Sequence, residues 1–114
     1  MKTPPFYIIE ITAKIFGVTV GDILGRETAK EILQARAAAI GVTCEVRTDL
    51  NYSVIGRCFR GRESRTIESN RRIAQKSCSK DKIFEEKFMK VLGAALSWSP
   101  PKMISERVKE REDA

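Results

Sequence analysis

The side chains with the clearest chemical potential are the arginines of residues 51–76, NYSVIGRCFRGRESRTIESNRRIAQK. Residues 56–76 hold seven cations against two anions, a net charge of +5, whereas the whole chain carries only +6. Guanidinium groups stay charged at physiological pH and bind phosphate through paired N–H donors. So concentrated a charge predicts a surface that attracts a polyanion, as nucleic-acid-binding proteins do.

Arg65 is the sharpest candidate for reading a DNA base, because it falls in the first turn of the helix predicted after Gly61. An arginine there can donate two hydrogen bonds to guanine, which is worth about 1–3 kcal/mol of discrimination. The alternative is a non-specific phosphate contact. Glu63 could accept from cytosine or stabilise the helix start through the helix dipole. Arg71 and Arg72 lie beyond the base-reading positions, so we expect one of them to contact phosphate, unless they form a solvated helix end.

Other chemistries lack their usual residues. The chain has no histidine, and Cys44, Cys58 and Cys78 are too widely spaced for a paired metal site. We interpret them as reduced thiols filling core volume, with a redox switch at Cys44 or Cys78 as the alternative. No Gly-rich phosphate loop is found, so we expect no enzyme activity, no metal, no nucleotide and no other cofactor.

Composition and length predict a single helical domain. No apolar run approaches the roughly 18 residues of a membrane span, and the start lacks a secretory signal, so we expect a cytoplasmic, nucleoid-associated protein. A chain of 114 residues can bury one modest core. We predict an all-α domain over residues 1–99 and a charged, mobile C-terminal tail over residues 100–114.

Helical spacing and glycine stops predict the first three elements. The first helix is capped by Thr3 and ends at Gly17. A short second helix spans residues 19–24, with Thr19 as its cap and Gly25 as its end. A third begins at residue 27 or 28 and runs to residue 40, with Gly41 as its end. Residues 41–50 fit a short strand or a continued helix, and we favour continuation to Val46 followed by a polar turn.

The next elements form the positioning unit for the arginines. Two helices, over residues 51–59 and 63–76, are joined by the turn Arg60-Gly61-Arg62. Two short helices joined by a three-residue turn containing glycine are typical of a helix-turn-helix. A last helix over residues 80–96, with Ser79 as its cap, shows a 3.6-residue apolar period and is expected to cover the core.

The order of these elements resembles the C-terminal DNA-binding domain of the bacterial replication initiator DnaA, a helical domain of the Trp-repressor-like class. The likeness covers roughly residues 6–78 and depends on AKIFGVTVGDILG, QARAAAI and IGRCFRGRESRTI. The last of these is similar to the family phrase I-G-x-x-F-G-G-R-D-H-T-T-V. The resemblance implies an all-α fold that binds double-stranded DNA with the second helix of the motif in the major groove.

The resemblance also implies roles for individual residues. Arg62 matches the arginine that ends the turn, and Thr66 matches a threonine at the start of the recognition helix. Arg36 matches a basic residue that reaches the minor groove, although it could instead be a surface residue that keeps its helix soluble. Ser64 and Arg65 replace a His-Thr pair that reads bases, so we expect the protein not to favour the family's usual DNA box.

The predicted function is that of a double-stranded DNA-binding protein, free-standing without the family's ATPase module. Its expected role is that of a small regulator of transcription or of a replication origin. The alternative is a protein-interaction module whose basic face docks an acidic partner. The predicted DNA-binding side chains are Arg36, Arg60, Arg62, Glu63, Ser64, Arg65, Thr66, Arg71 and Arg72.

Overall fold

The computed structural model describes residues 2–101, which form six α-helices and no strand. The helices are α1 (Pro5–Phe16), α2 (Val20–Leu24), α3 (Lys30–Val46), α4 (Tyr52–Cys58), α5 (Ser64–Lys80) and α6 (Lys82–Leu96). The all-α prediction is therefore confirmed. The proposed division between a domain and a tail stays a prediction, because most of the tail, residues 102–114, lies outside the described residues.

Helix α3 is the centre of the fold and packs against all five other helices. Its residues 35–44 are all buried, and most of them have small side chains that let other helices pack closely. At Gly41, an added Cβ would lie 2.9 Å from the Cβ of Ala74 and 3.0 Å from the ring of Phe88. Gly41 therefore gives α5 and α6 room to approach, and the prediction that it ends the helix is wrong. The favoured continuation to Val46 is confirmed.

Apolar side chains from α1 to α5 form the largest core cluster. Its fully buried members include Ile23 of α2, Ile40 of α3, Ile55 and Phe59 at the end of α4, and Ile67 of α5. Burial of an aliphatic or aromatic side chain of this size stabilises the fold by about 1.5–3 kcal/mol. The two helices of the predicted helix-turn-helix are thus fixed to the same core as α2 and α3.

Side chains and a glycine at the helix ends act locally, as predicted for Thr19 and Gly17. The amide of Asp22 donates to Thr19 Oγ1 at 2.9 Å, and the amide of Thr19 donates to Asp22 Oδ2 at 3.1 Å, which forms a capping box at the start of α2. Asn51 caps α4 by accepting from the amide of Val54 at 2.9 Å. Gly17 adopts the left-handed conformation at the end of α1, with φ 72°.

Two predicted caps are wrong, because each hydroxyl has another partner. Thr3 Oγ1 donates to the carbonyl of Ala95 at 2.7 Å and so joins the N-terminal segment to α6. Ser79 lies within α5 and donates to the carbonyl of Gln75 at 3.2 Å. Asp81 caps α6 instead, since it accepts from the first amides of that helix.

Candidate nucleic-acid interface

The turn between α4 and α5 is tight because its backbone contacts α4 directly. Arg60 and Gly61 both have left-handed backbone conformations, with φ 61° and φ 76°. The amide of Arg62 then donates to the carbonyl of Gly56 at 3.0 Å. An added Cβ at Gly56 would lie 2.0 Å from the carbonyl oxygen of Arg62, so only glycine permits this approach. The sequence prediction of a helix-turn-helix with this turn is confirmed in its geometry.

The first turn of α5 displays the predicted base-reading residues on the surface. Glu63 occupies the N-cap position without a side-chain cap hydrogen bond, and Ser64, Arg65 and Thr66 follow it, all four exposed. Within residues 2–101, the side chain of Arg65 has no hydrogen bond or ion pair. This group of side chains is therefore free to contact a ligand.

The exposed face of α5 continues beyond its first turn. Residues spaced by i, i+4, i+7 and i+11 lie on one side of an α-helix. Counted from Arg65, these positions are Ser69, Arg72 and Lys76, and each of them is exposed. Three of the four side chains are cationic, so one face of a 17-residue helix carries positive charge along most of its length.

Arg36 is buried rather than presented on the surface. Only 6% of the residue is exposed to solvent. Nε donates to the carbonyl of Ile23 and Nη2 donates to the carbonyl of Asp22, both at 2.8 Å. Burial lowers the pKa of the Arg36 guanidinium, while the charge of Asp22 raises it. The interpretation of Arg36 as a surface residue is wrong, and these contacts give it a structural role; its predicted minor-groove contact gains no support.

Arg62 also donates to backbone carbonyls at the end of α2, those of the next two residues after the pair bound by Arg36. Its Nη1 donates to the carbonyls of Leu24, at 3.1 Å, and Phe59, at 2.8 Å, and its Nη2 donates to the carbonyl of Gly25. Burial is the main cause that lowers the pKa of Arg62. The guanidinium therefore ties the turn to the end of α2 and does not extend freely into solvent.

Together the two guanidinium groups hold four successive carbonyls, those of residues 22–25, at the C-terminal end of α2. The last carbonyls of a helix have no partner within the helix, and cations are favourable there. We call this arrangement the α2 clamp. It joins α2, α3 and the turn of the helix-turn-helix through side-chain hydrogen bonds.

The neighbouring Arg71 and Arg72 point to different sides of α5. Arg71 Nη1 donates to the hydroxyl of Tyr52 at 2.9 Å, and Nη2 lies 3.7 Å from the carboxylate of Glu45. The hydrogen bond to Tyr52 is the main cause that raises the pKa of Arg71. Arg72 lies on the exposed face, and its one side-chain partner within residues 2–101 is Glu68, at 2.7 Å; the Arg72 side chain is 74% exposed. Of the two, Arg72 fits a phosphate contact.

A polar cleft of about 610 Å³ adjoins the first turn of α5. It lies between the α2–α3 connection and the turn of the helix-turn-helix. Sequence reasoning missed one of its cations, Arg26, because this residue is distant from the turn in sequence. The local signal was the predicted end of α2 at Gly25, which places Arg26 at an element end. The lining residues are Leu24, Gly25, Arg26, Arg60, Gly61, Arg62, Glu63 and Thr66.

Sites of other kinds are not found in the described part of the chain. Residues 2–101 contain no group of three or more metal-ligating side chains. No helix among them has the length and apolar composition that a membrane crossing requires. The cysteines are free, and Cys44 is buried among core residues, where burial raises its pKa.

The fold and the exposed face of α5 place the chain in the helix-turn-helix class of DNA-binding domains. More narrowly, it belongs to the family described as the bacterial dnaA protein helix-turn-helix, which residues 5–77 match. Domains of this family bind double-stranded DNA. The resemblance inferred from the sequence is thereby confirmed.

Relatives of this chain are chromosomal replication initiator proteins. The chain is 31% identical over 83 residues to DnaA of Corynebacterium jeikeium, covering 72% of this chain and 14% of that protein. It is 34% identical over 76 residues to DnaA 1 of Chlamydia muridarum, covering 67% of this chain and 16% of the relative. With DnaA of Neisseria meningitidis serogroup C it shares 29% identity over 85 residues, covering 75% and 16%. The chain thus spans about one sixth or less of these relatives.

Proposed function

We propose that this chain binds double-stranded DNA sequence-specifically by placing α5 in the major groove. The observation that carries the proposal is the exposed first turn of α5, where Arg65 has no partner within residues 2–101. An α-helix fits the major groove, and the N-terminal residues of a recognition helix are the ones that reach base edges.

Each exposed residue of this face has a chemical role in the proposal. Arg65 donates to guanine, and Ser64 and Thr66 offer hydroxyl groups that donate to or accept from bases or phosphates. Glu63, exposed at the N-cap position of α5, can accept from cytosine. Arg72 contacts phosphate further along the helix. Arg36 and Arg62 act as positioning residues through the α2 clamp, because it holds the turn from which α5 begins.

The proposed biological role is regulation of transcription or of a replication origin on the bacterial nucleoid. The names of the relatives support a link to chromosome replication. The replacement of a His-Thr pair by Ser64 and Arg65 supports a DNA target different from the family's usual box, since an arginine has no acceptor and reaches further than threonine.

Selection of bound sequences from a random duplex library tests the proposal and reports the site. We expect enrichment of a motif containing guanine, and preference for that duplex over the family box in a competition assay. The control variant is Lys90→Gln, which removes one exposed charge from α6, at a position remote in sequence from the first turn of α5. It should select the same motif as the wild type. Equal binding of all duplexes, together with tighter binding of an acidic polypeptide such as polyglutamate, would favour the protein-interaction module instead.

A further inference from the structure

Arg60 adopts a backbone conformation that is unfavourable for its residue type. With φ 61°, it is the one non-glycine residue with positive φ in the part of the chain that the structure describes. In this region the Cβ atom crowds the backbone, so residues other than glycine, asparagine and aspartate rarely adopt it. Gly61 beside it has φ 76° at no such cost. Strain of this kind persists at functional sites when the side chain has a use that offsets it.

The position of Arg60 is costly for a second, electrostatic reason. Arg60 and Arg26 line the same cleft as Arg62, whose pKa is lowered first by burial and then by the positive charges of Arg36, Arg26 and Arg60. These like charges repel one another in the free protein. Within residues 2–101, the exposed Arg60 side chain makes no hydrogen bond or ion pair that would offset this repulsion.

A bound phosphate would remove the electrostatic cost. A phosphodiester accepts hydrogen bonds from guanidinium donors and adds negative charge to a cleft whose lining holds three arginines and one carboxylate, that of Glu63. The cleft of about 610 Å³ has room for such a group between the α2–α3 connection and the turn, and Thr66 of α5 lines its edge. A duplex contacted by the first turn of α5 would therefore bring its backbone close to this cleft.

We propose that Arg60, together with Arg26, binds one backbone phosphate of the duplex in this cleft, and that the chain keeps a strained residue in the turn for this contact. The inference builds on the proposed function and adds a specific site to it. It implies that the stability of the free protein and its affinity for DNA change in opposite directions at this position. The residue that would stabilise the free fold at this position, glycine, would weaken DNA binding.

Arg60→Gly tests this opposition directly, because it removes both the strain and the charge. We expect the melting temperature of the free protein to rise by about 4 °C. We expect affinity for duplex DNA to fall about tenfold, with the slope of log K against log salt smaller by about one unit. The preferred DNA motif should not change, because phosphate contacts carry no base information.

Two further variants separate the causes. Arg60→Lys keeps the charge and the Cβ atom, so the salt slope and the melting temperature should stay near those of the wild type. Lys90→Gln loses one exposed charge on α6 and should change the slope by much less than one unit. If the wild type binds duplex DNA and Arg60→Gly leaves affinity or the salt slope unchanged, the phosphate site at Arg60 is refuted while the proposed function stands. A wild-type protein that binds no duplex would refute the proposed function itself.

Discussion

At the scale of single residues, arginine has two opposite uses in this chain. Arg36 and Arg62 donate to backbone carbonyls inside the protein, whereas Arg65 and Arg72 extend from the exposed face of α5. A guanidinium has five donors in a rigid fork and no acceptor, so it satisfies several carbonyls as readily as it binds a phosphate or a guanine. The helix or turn that carries an arginine sets the direction of its side chain, and this direction decides between the two uses.

Replacing Arg65 with alanine should relax sequence preference more than it lowers non-specific affinity. The reason is that a base-reading arginine contributes about 1–3 kcal/mol of discrimination that random duplexes do not receive. Binding of the selected duplex and of a random duplex, measured side by side, checks this. Arg72→Ala is the matched control and should weaken both duplexes alike. If Arg65→Ala also weakens both equally, Arg65 is a phosphate contact.

Replacing Arg36 with methionine should lower the stability of the fold. The carbonyls of Asp22 and Ile23 would lose their donors in a buried place, which costs about 1–3 kcal/mol. Arg57→Met, at an exposed position of α4, is the control and should change stability little. The free energy of unfolding in urea decides the question. Unchanged stability with reduced DNA affinity would instead restore the minor-groove role that the resemblance implied.

At the scale of elements, the helix-turn-helix depends on contact between backbones. The turn folds back so that the amide of Arg62 meets the carbonyl of Gly56, and no side chain separates them. Ile55, Phe59 and Ile67 then fix both helices to the core that also holds α2 and α3. The angle between α4 and α5 is thus set by close packing on both sides of the turn.

Gly56→Ala should disrupt the motif, because its Cβ would lie 2.0 Å from the carbonyl oxygen of Arg62. We expect a loss of about 3 kcal/mol or more of unfolding free energy, together with loss of specific DNA binding. Gly93→Ala in α6 is the matched control, since nothing lies within 4 Å of its added Cβ. That control should gain about 0.5–1 kcal/mol from higher helix propensity. Similar stability of the two variants in thermal unfolding would contradict the tight turn.

Sequence alone predicted the elements whose signals are local. Thr19 was predicted as a cap because its partner lies three residues away, and the turn at Gly61 follows from its neighbours. Asn51 caps α4 in the same way, although the prediction had included it in the helix. Thr3 and Gly41 escaped prediction because their partners are on α5 or α6, far along the chain. In the candidate site, the exposed residues of α5 could be predicted, but the inward direction of Arg36 depends on where α2 ends in space.

At the scale of the whole molecule, the charge is concentrated on one side of the motif. The exposed cations of the cleft, and of the α5 face counted from Arg65 to Lys76, are Arg26, Arg60, Arg65, Arg72 and Lys76. The net charge of residues 56–76 is also +5, although the residues counted differ, since Arg62 and Arg71 have partners within the protein. Such a field attracts a polyanion over a distance of about one Debye length.

Binding to duplex DNA should therefore depend steeply on salt. If about five phosphates are neutralised, log K should fall with log salt with a slope of about −4 to −5. Arg72→Ala should reduce the magnitude of this slope by about one unit, whereas Arg71→Ala should reduce it less, because Arg71 is held by Tyr52 and Glu45. Fluorescence anisotropy across a salt series measures both. A slope near zero for the wild type would point to the acidic protein partner.

The α2 clamp limits how the helix-turn-helix could be transferred into another protein. A graft of residues 51–80 alone would carry Arg62 but leave behind the carbonyls of Leu24 and Gly25 that orient it. In the transplanted turn the guanidinium would keep the carbonyl of Phe59 but lose both of its hydrogen bonds to the end of α2. The smallest transferable unit is therefore the continuous stretch from α2 to α5, in which the five-residue α2 holds Arg62 through the carbonyls at its C-terminal end.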